Sequence, residues 1–401
     1  MSMTLRSPLD CDGLQSHTFA AHDHIAILGT PDGRDFTCAI DPIVIAVNDV
    51  WIRGKNGRVI LVPRQIVTPP ATSTGIHIEG NNVRVERVAV SGFTTGITVD
   101  NGIGGTSIVD ASVNNNHYGM SISGDDTCLF NVTAKNNNQD GITVTTDAGG
   151  YFEFRSSNAD SNIHRGIVVA STSLTHAQVW NSSITSNQDT GLTLAGPDAE
   201  VLCSIVRKNI GTGILSTASR LQVENSYIRD NDLAGIDVTG GVTHVLNTTM
   251  LDNAASESGR QIVRSGGTLR VYNTIARGST FIYGGSGTTT ECSNNMYSSS
   301  TTVCGSSTPG SGSVVATPDL ESDQMHLKGG AAVDHGADLS RTAKPTLVAR
   351  VANQDTDGTP RPLDGDATPG AVNDMGGYEK PPNTAVVGTW TPTSTPKNGR
   401  S

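Results

Sequence analysis

Aromatic residues, charge and long apolar runs are all scarce in this 401-residue chain. Aromatics make up only 4% of it, too few for the core of a conventional globular domain. Charged residues make up 16%, which excludes the highly charged composition of an ordinary disordered chain. The longest apolar run, Ile43 to Val47, falls far short of the ~20 residues a membrane span requires, so membrane insertion is not expected. Basic residues number 27 against 38 acidic ones, a net charge of −11, and no basic block occurs; nucleic acid is excluded as a partner. No apolar stretch resembling a leader follows Met1. Glycine, by contrast, is abundant at 45 residues, and Ser, Thr and Asn fill much of the rest.

The glycines are periodic. Gly75-Ile76-His77-Ile78 and Gly96-Ile97-Thr98-Val99 open a series that continues at Gly119, Gly141, Gly166, Gly191, Gly213 and Gly235, with steps of 21 to 25 residues. Each glycine starts an alternating apolar run, and period-two alternation means strands rather than helical repeats. A second signature joins Asn131 to Asn137, Asn181 to Asn187, Asn225 to Asn231 and Asn247 to Asn253. Asp110 to Asn116, Ser156 to Asn162 and Cys203 to Asn209 are its variants. Stacked coils would set these side chains in two columns, hydrogen-bonded along the stack and satisfying backbone groups at the turns. Val85, Ile108, Leu129, Phe154, Val179, Val201, Val223, Val245 and Val271 form an apolar column in the same way.

Three short strands per coil, a glycine at a bend and asparagine ladders resemble the right-handed parallel β-helix of the pectate-lyase-like superfamily. The expected fold is therefore all-β, a solenoid of about ten coils over residues 41–305. Residues 1–40 are expected as an N-terminal cap, 306–380 as a linker and C-terminal surface-associated segment, and 381–401 as a disordered tail. The string Met325-His326-Leu327-Lys328-Gly329-Gly330, Val333-Asp334-His335-Gly336, Asp357-Gly358-Thr359-Pro360-Arg361-Pro362 and Asp374-Met375-Gly376-Gly377-Tyr378-Glu379 is similar to the choice-of-anchor segments of bacterial secreted β-helix proteins. That resemblance implies a secreted or cell-surface location. Cysteine usage points the same way: Cys11 with Cys38 and Cys292 with Cys304 have spacings that suit disulfides, while Cys128 and Cys203 lie inside the repeats as free thiols.

In enzymes of this superfamily the substrate groove follows the strand that begins with the repeating glycine. Just before the glycines, ionisable and aromatic groups gather in four consecutive coils: His117 and Tyr118, then Asp140, then His164 and Arg165, then Asp189. We take His117, Tyr118, Asp140, His164 and Arg165 as the catalytic candidates. Asp100, Gln139, Asp189 and Asp237 are the substrate-binding candidates. Arg165 beside Asp140 would form an ion pair or a carboxylate clamp. Such a set suits β-elimination on a polyuronate, with Arg165 on the substrate carboxylate, His117 or His164 taking the proton and Tyr118 returning one to the leaving oxygen. Two alternatives stand beside it. Asp140 and Asp189, ~10 Å apart across two coils, would be near the upper limit for an inverting glycoside hydrolase. A non-catalytic adhesive protein that binds polysaccharide would also carry varied polar turns, and the overall acidity weighs against a polyanionic substrate. Thr98, Ser121, Thr143 and Thr193 form a flat hydroxyl row that ordinary strand propensity explains as well as water ordering.

The expected partner is thus a polysaccharide, and the expected state a monomer. His17, His22 and His24 in the cap are not read as a metal site. No cofactor is assigned; calcium is the one candidate, through Asp355, Asp357, Asp364 and Asp366, whose spacing lacks the twelve-residue loop with its closing Glu.

Overall fold

The computed structural model describes residues 4–5, 9–28, 36–55, 57–64, 73–146, 149–254, 259–278, 280–283, 290–298, 310–332, 336 and 374–377. They form an all-β parallel solenoid of about eleven turns. Three long parallel sheets run its length. Sheet 1 has eleven strands and contains the glycine strands, such as Thr95–Val99 and Tyr118–Ile122. Sheet 2, with thirteen, includes Ser107–Val109 and Thr127–Phe130; sheet 3, also thirteen, includes Ser112–Asn114 and Thr133–Lys135. Each coil visits the sheets in that order and then climbs one rung. The expected apolar column of sheet 2 is in register, Ile108 on Leu129 and Leu129 on Phe154, and every member is fully buried.

Two corner devices make the coil close. Between sheets 2 and 3 the chain turns on a single residue in the left-handed conformation: Asp110, Asn131, Ser156, Asn181, Cys203, Asn225 and Asn247 have φ between 46° and 53°. Short polar side chains tolerate that region best, which explains their recurrence. This corrects the expectation that the column serves as a backbone-satisfying ladder. Its members do bond along the stack, Asn131 Nδ2 donating to Asp110 Oδ1 at 2.7 Å, but Asn181 is exposed, and only later members such as Asn225 and Asn247 are buried. The backbone ladder beside it is built of hydroxyls: Val132 N–H donates to Ser157 Oγ, Ser157 N–H to Ser182 Oγ, and Ser182 N–H to Ser204 Oγ.

Between sheets 3 and 1 the second asparagine column is a buried ladder, as expected. Asn162 Nδ2 donates to Asn187 Oδ1 at 2.9 Å and to Ala134 O at 3.2 Å, while its Oδ1 accepts from Asn137 N–H and Nδ2. All four hydrogen-bonding sites of the Asn162 amide are filled without water. The repeating glycine follows from the ladder. A Cβ on Gly141 would lie 2.6 Å from Gly166 O and 2.7 Å from Asn162 Nδ2, so only hydrogen fits.

The ends differ. At the N-terminal end a five-residue helix, Cys11–Gln15, is capped by Asp10 and tied by the Cys11–Cys38 disulfide. The cap histidines do not converge: His17 meets Asp23, His22 meets Asp49, and His24 stacks on Trp51 at 3.9 Å. Near the C-terminal end Leu327, Ala332 and Met375 pack on Tyr227, Leu251, Ile275 and Met296 of sheet 3. Gly376 N–H donates to Asn273 O and Gly377 N–H to Thr249 Oγ1. Cys128 and Cys203 form no disulfide, and Cys292 is disulfide-bonded. Cys304, the calcium candidates Asp355, Asp357, Asp364 and Asp366, and the proposed tail 381–401 lie outside the described residues.

Candidate functional site

The site candidates sit on the corner that leads from sheet 3 into sheet 1, and the ladder fixes their rows. Tyr118 N–H donates to Thr94 O, Gln139 N–H to His117 O, Asp189 N–H to His164 O, and Gly119 N–H to Asp140 O. The corner changes length within this zone. Two residues, His117 and Tyr118, separate Asn116 from Gly119, whereas three, Asn138, Gln139 and Asp140, separate Asn137 from Gly141. Adjacent rungs of unequal length cannot stack flush. At the step lies an open depression of about 390 Å³ lined by Gly92, Phe93, Thr94, Asn115, His117, Tyr118 and Asn138.

The candidates divide into two groups. In the first, His117 and Tyr118 meet edge to face at 4.7 Å between ring centroids, and Tyr118 is 40% exposed. No described residue hydrogen-bonds the His117 ring nitrogens or the Tyr118 hydroxyl. In the second, Asp140 is buried and fully engaged. Arg165 Nε reaches its Oδ1 at 3.0 Å and Nη2 its Oδ2 at 2.9 Å, a bidentate fork, and the Arg165 N–H adds a third bond at 3.1 Å. Burial alone would raise the Asp140 carboxyl, but the Arg165 bonds and charge, with His164 beside it, hold it below its ordinary value. His164 bridges Asp140 through Nδ1 at 2.7 Å and Asp189 through Nε2 at 3.3 Å.

This geometry alters two expected roles. The expected ion pair forms, but it uses the fork of Arg165 that a substrate carboxylate would need. Both nitrogens of His164 face carboxylates, so it is poorly placed to take a proton from a sugar. The same ring fills the gap between Asp140 and Asp189, where an inverting hydrolase would need a water. Gln139 follows His117 in the stack without lining the depression.

Asp100 and Asp237 are not brought into the cluster. Asp100 pairs with His77 at 2.7 Å one coil before His117. Asp237 stands between Leu215 and Val263 on sheet 1, and burial pushes its carboxyl up. One constellation escaped sequence reasoning: on sheet 2, His176 faces Asp198 at 3.0 Å and Glu200 at 3.6 Å, and Arg220 already holds Asp198 at 2.9 Å. Its signal was the long polar column Glu153, Gln178, Glu200, Gln222 on the outward face.

Comparison with known proteins places the fold. The family described as the right handed beta helix region matches residues 95–255. No curated protein matches the sequence. Among solved structures, the A-module of the mannuronan C-5 epimerase AlgE6 of Azotobacter vinelandii is similar with a TM-score of 0.50 at 15% identity, over 77% of this chain and 91% of that one. The A-module of AlgE4 from the same organism gives 0.51 at 15%, over 72% and 87%. The Dettilon tailspike protein gives 0.51 at 13%, over 74% of this chain and 63% of its own. Together with the topology, these define the class: a right-handed parallel β-helix.

Proposed function

We propose that the protein acts on a uronate-containing polysaccharide laid along sheet 1, with His117 as base and Tyr118 as acid. One observation carries this reading. An imidazole and a phenol without other partners share an open depression with the amides of Asn115 and Asn138, while the stronger ions next door are locked onto one another. Abstraction of the proton beside a carboxylate needs a base in reach and donors on the carboxylate as charge develops there. Asn115 and Asn138 offer neutral donors for that purpose in place of Arg165. The mannuronan epimerases that share the fold are named for a reaction at C-5, the carbon that loses its proton in β-elimination. The Cys11–Cys38 disulfide supports an oxidising, extracellular setting.

The closed network of Asp140, Arg165 and His164 favours a second reading, a surface protein that binds polysaccharide without turning it over. A panel of uronate and neutral polysaccharides separates the two. Absorbance of unsaturated uronates reports elimination, exchange of the C-5 hydrogen reports epimerisation, and new reducing ends alone report hydrolysis. Tyr118→Phe should lower turnover by about 10²–10⁴-fold with little change in KM, as loss of an acid–base group does. Its melting temperature should not move, because the ring is exposed. Thr212→Ala, in the same column, should leave activity intact. Binding without any turnover by the wild type would sink the catalytic reading and leave the adhesive one.

A further inference from the structure

Sheet 1 supplies its own internal control, because each position recurs in every coil. The residue that follows each glycine strand is Glu79, then Asp100, then Ser123, Thr145, Ala170 and Ala195, held in register by backbone bonds such as Asp100 N–H to Ile78 O and Ser123 N–H to Val99 O. Two residues earlier the outward position is His77, then Thr98, Ser121 and Thr143. After Asp100 the first of these columns carries only small neutral side chains, while the outward column is more mixed and includes Val168, Leu215 and Asp237. His77, Glu79 and Asp100 fall together at one spot in two neighbouring coils, whereas Asp237 stands apart from them in a later coil.

Their chemistry converges. Carboxylates on adjacent rungs lie within ~5 Å of each other, and like charges directly opposite destabilise a sheet. Among the described residues neither forms an ion pair with Lys or Arg. Both face the same imidazole: His77 Nε2 lies 2.7 Å from Asp100 Oδ1, and Nδ1 lies 3.5 Å from Glu79 Oε1. One ligand atom from each of the three fits within 4.8 Å of the others. All three side chains are partly exposed, which leaves room for water to complete a coordination shell.

We infer that His77, Glu79 and Asp100 bind a divalent transition-metal ion of the zinc class. The donor set decides the metal. Calcium takes six to eight oxygens, and an imidazole nitrogen is a poor member of such a set. One nitrogen and two carboxylate oxygens, with open positions, suit zinc and its neighbours. Two stacked carboxylates then serve as ligands rather than as an uncompensated repulsion. The competing arrangement is a clip in which a protonated His77 ties the two carboxylates together with no metal.

Untagged, chelator-treated full-length protein titrated with zinc at neutral pH tests the inference. One equivalent should bind, with proton release visible as a dependence of the heat on buffer. Cobalt should give a visible absorption band that zinc displaces. His77→Ala and Asp100→Asn should each weaken zinc binding by about 100-fold, at least what loss of an outer-shell partner costs in characterised sites. Asp237→Asn, elsewhere on the same sheet, should bind as wild type, and calcium should not compete. Absence of a saturable one-to-one site, or wild-type zinc affinity in His77→Ala, would overturn the assignment in favour of the clip. The test reads binding alone, so its outcome is separate from whether His117 and Tyr118 turn over a uronate.

Discussion

The first half of the solenoid and the second use the same columns for different ends. On the outward face of sheet 3 the column reads Thr133, Asn158 and Ser183, then Ile205, Tyr227, Thr249, Ile275 and Met296. The first three are at least partly exposed; Tyr227 and its successors are buried, with Leu327, Ala332 and Met375 among the residues that cover them. The corner that leads into sheet 1 changes along the same axis. The chemically varied corner, His117 to Asp189, belongs to the early coils, and the later ones carry Thr212 and Ala234. A repeat fold can therefore separate its duties along one axis. Where a face is covered it adds stability, and where it is open its residues are free to vary toward chemistry.

The sharpest way to break this comparison is to make matched changes in one column. Tyr227→Ala should cost about 3–5 kcal/mol, the range for removing a large buried aromatic. Ser183→Ala, two rungs away, should change stability by no more than about 0.5 kcal/mol. Equal costs in urea unfolding would mean that the two halves are not distinct.

Next in size is a pH effect at His244, in the second half. Burial, with Arg270 beside it, pushes the His244 imidazole down to about 4. A histidine whose folded value lies below its unfolded value near 6.5 stabilises fully above 6.5, and the contribution is lost as pH falls toward 4. The loss is at most about 3 kcal/mol. His244→Gln should flatten the acid limb of a melting-temperature profile between those values. An unchanged slope would refute the buried neutral state.

The smallest effect separates the two asparagine columns. Asn187→Gly removes the acceptor of Asn162 N–H and the donor to Ala159 O, and should cost about 1–3 kcal/mol for unsatisfied buried groups. Asn181→Gly places glycine at φ 49°, which it adopts freely, and should stay within about 0.5 kcal/mol. A similar loss at both would restore the reading of the two columns as equivalent ladders.

That reading shows where the sequence was legible. Glycine spacing and the apolar column Val85 to Val271 encode the coil directly, because each residue answers to its own copy one rung away. The pair Asn181 and Asn187 was visible as a pattern, but a residue chosen for its φ and a residue chosen for its amide look alike in letters. The hydroxyl ladder was written as Asn181-Ser182, Cys203-Ser204 and Asn225-Ser226 and passed over, since Ser is common throughout. Packing of the late coils could not be read, because Tyr227 meets Gln324 across 97 residues with no periodic signal between them. At the site, alignment by glycine brought Asp140 to Arg165 and His164 to Asp189 correctly. It could not show that these groups would satisfy one another and leave His117 and Tyr118 apart. The step in corner length that opens the depression was present in the spacing and needed only alignment on the asparagine as well as on the glycine.

The amide ladder also has a direction. Every rung from Asn116 to Asn231 gives its N–H to the next rung toward the C-terminus, so a coil can be identified by what it presents above and what it accepts below. The series stops at Asn253, whose Nδ2 goes to Gln261 Oε1 within its own turn. Gln261 thus takes the place of the next asparagine in the ladder. Between these limits coil number is an adjustable quantity. Duplicating or excising the 22 residues from Gly191 to Thr212 would keep the asparagine ladder continuous at both cuts, so the protein could lengthen or shorten by one coil with the ladder intact. Beyond Gln261 the strands still stack but the asparagine ladder has ended, so the same edit would lose that match.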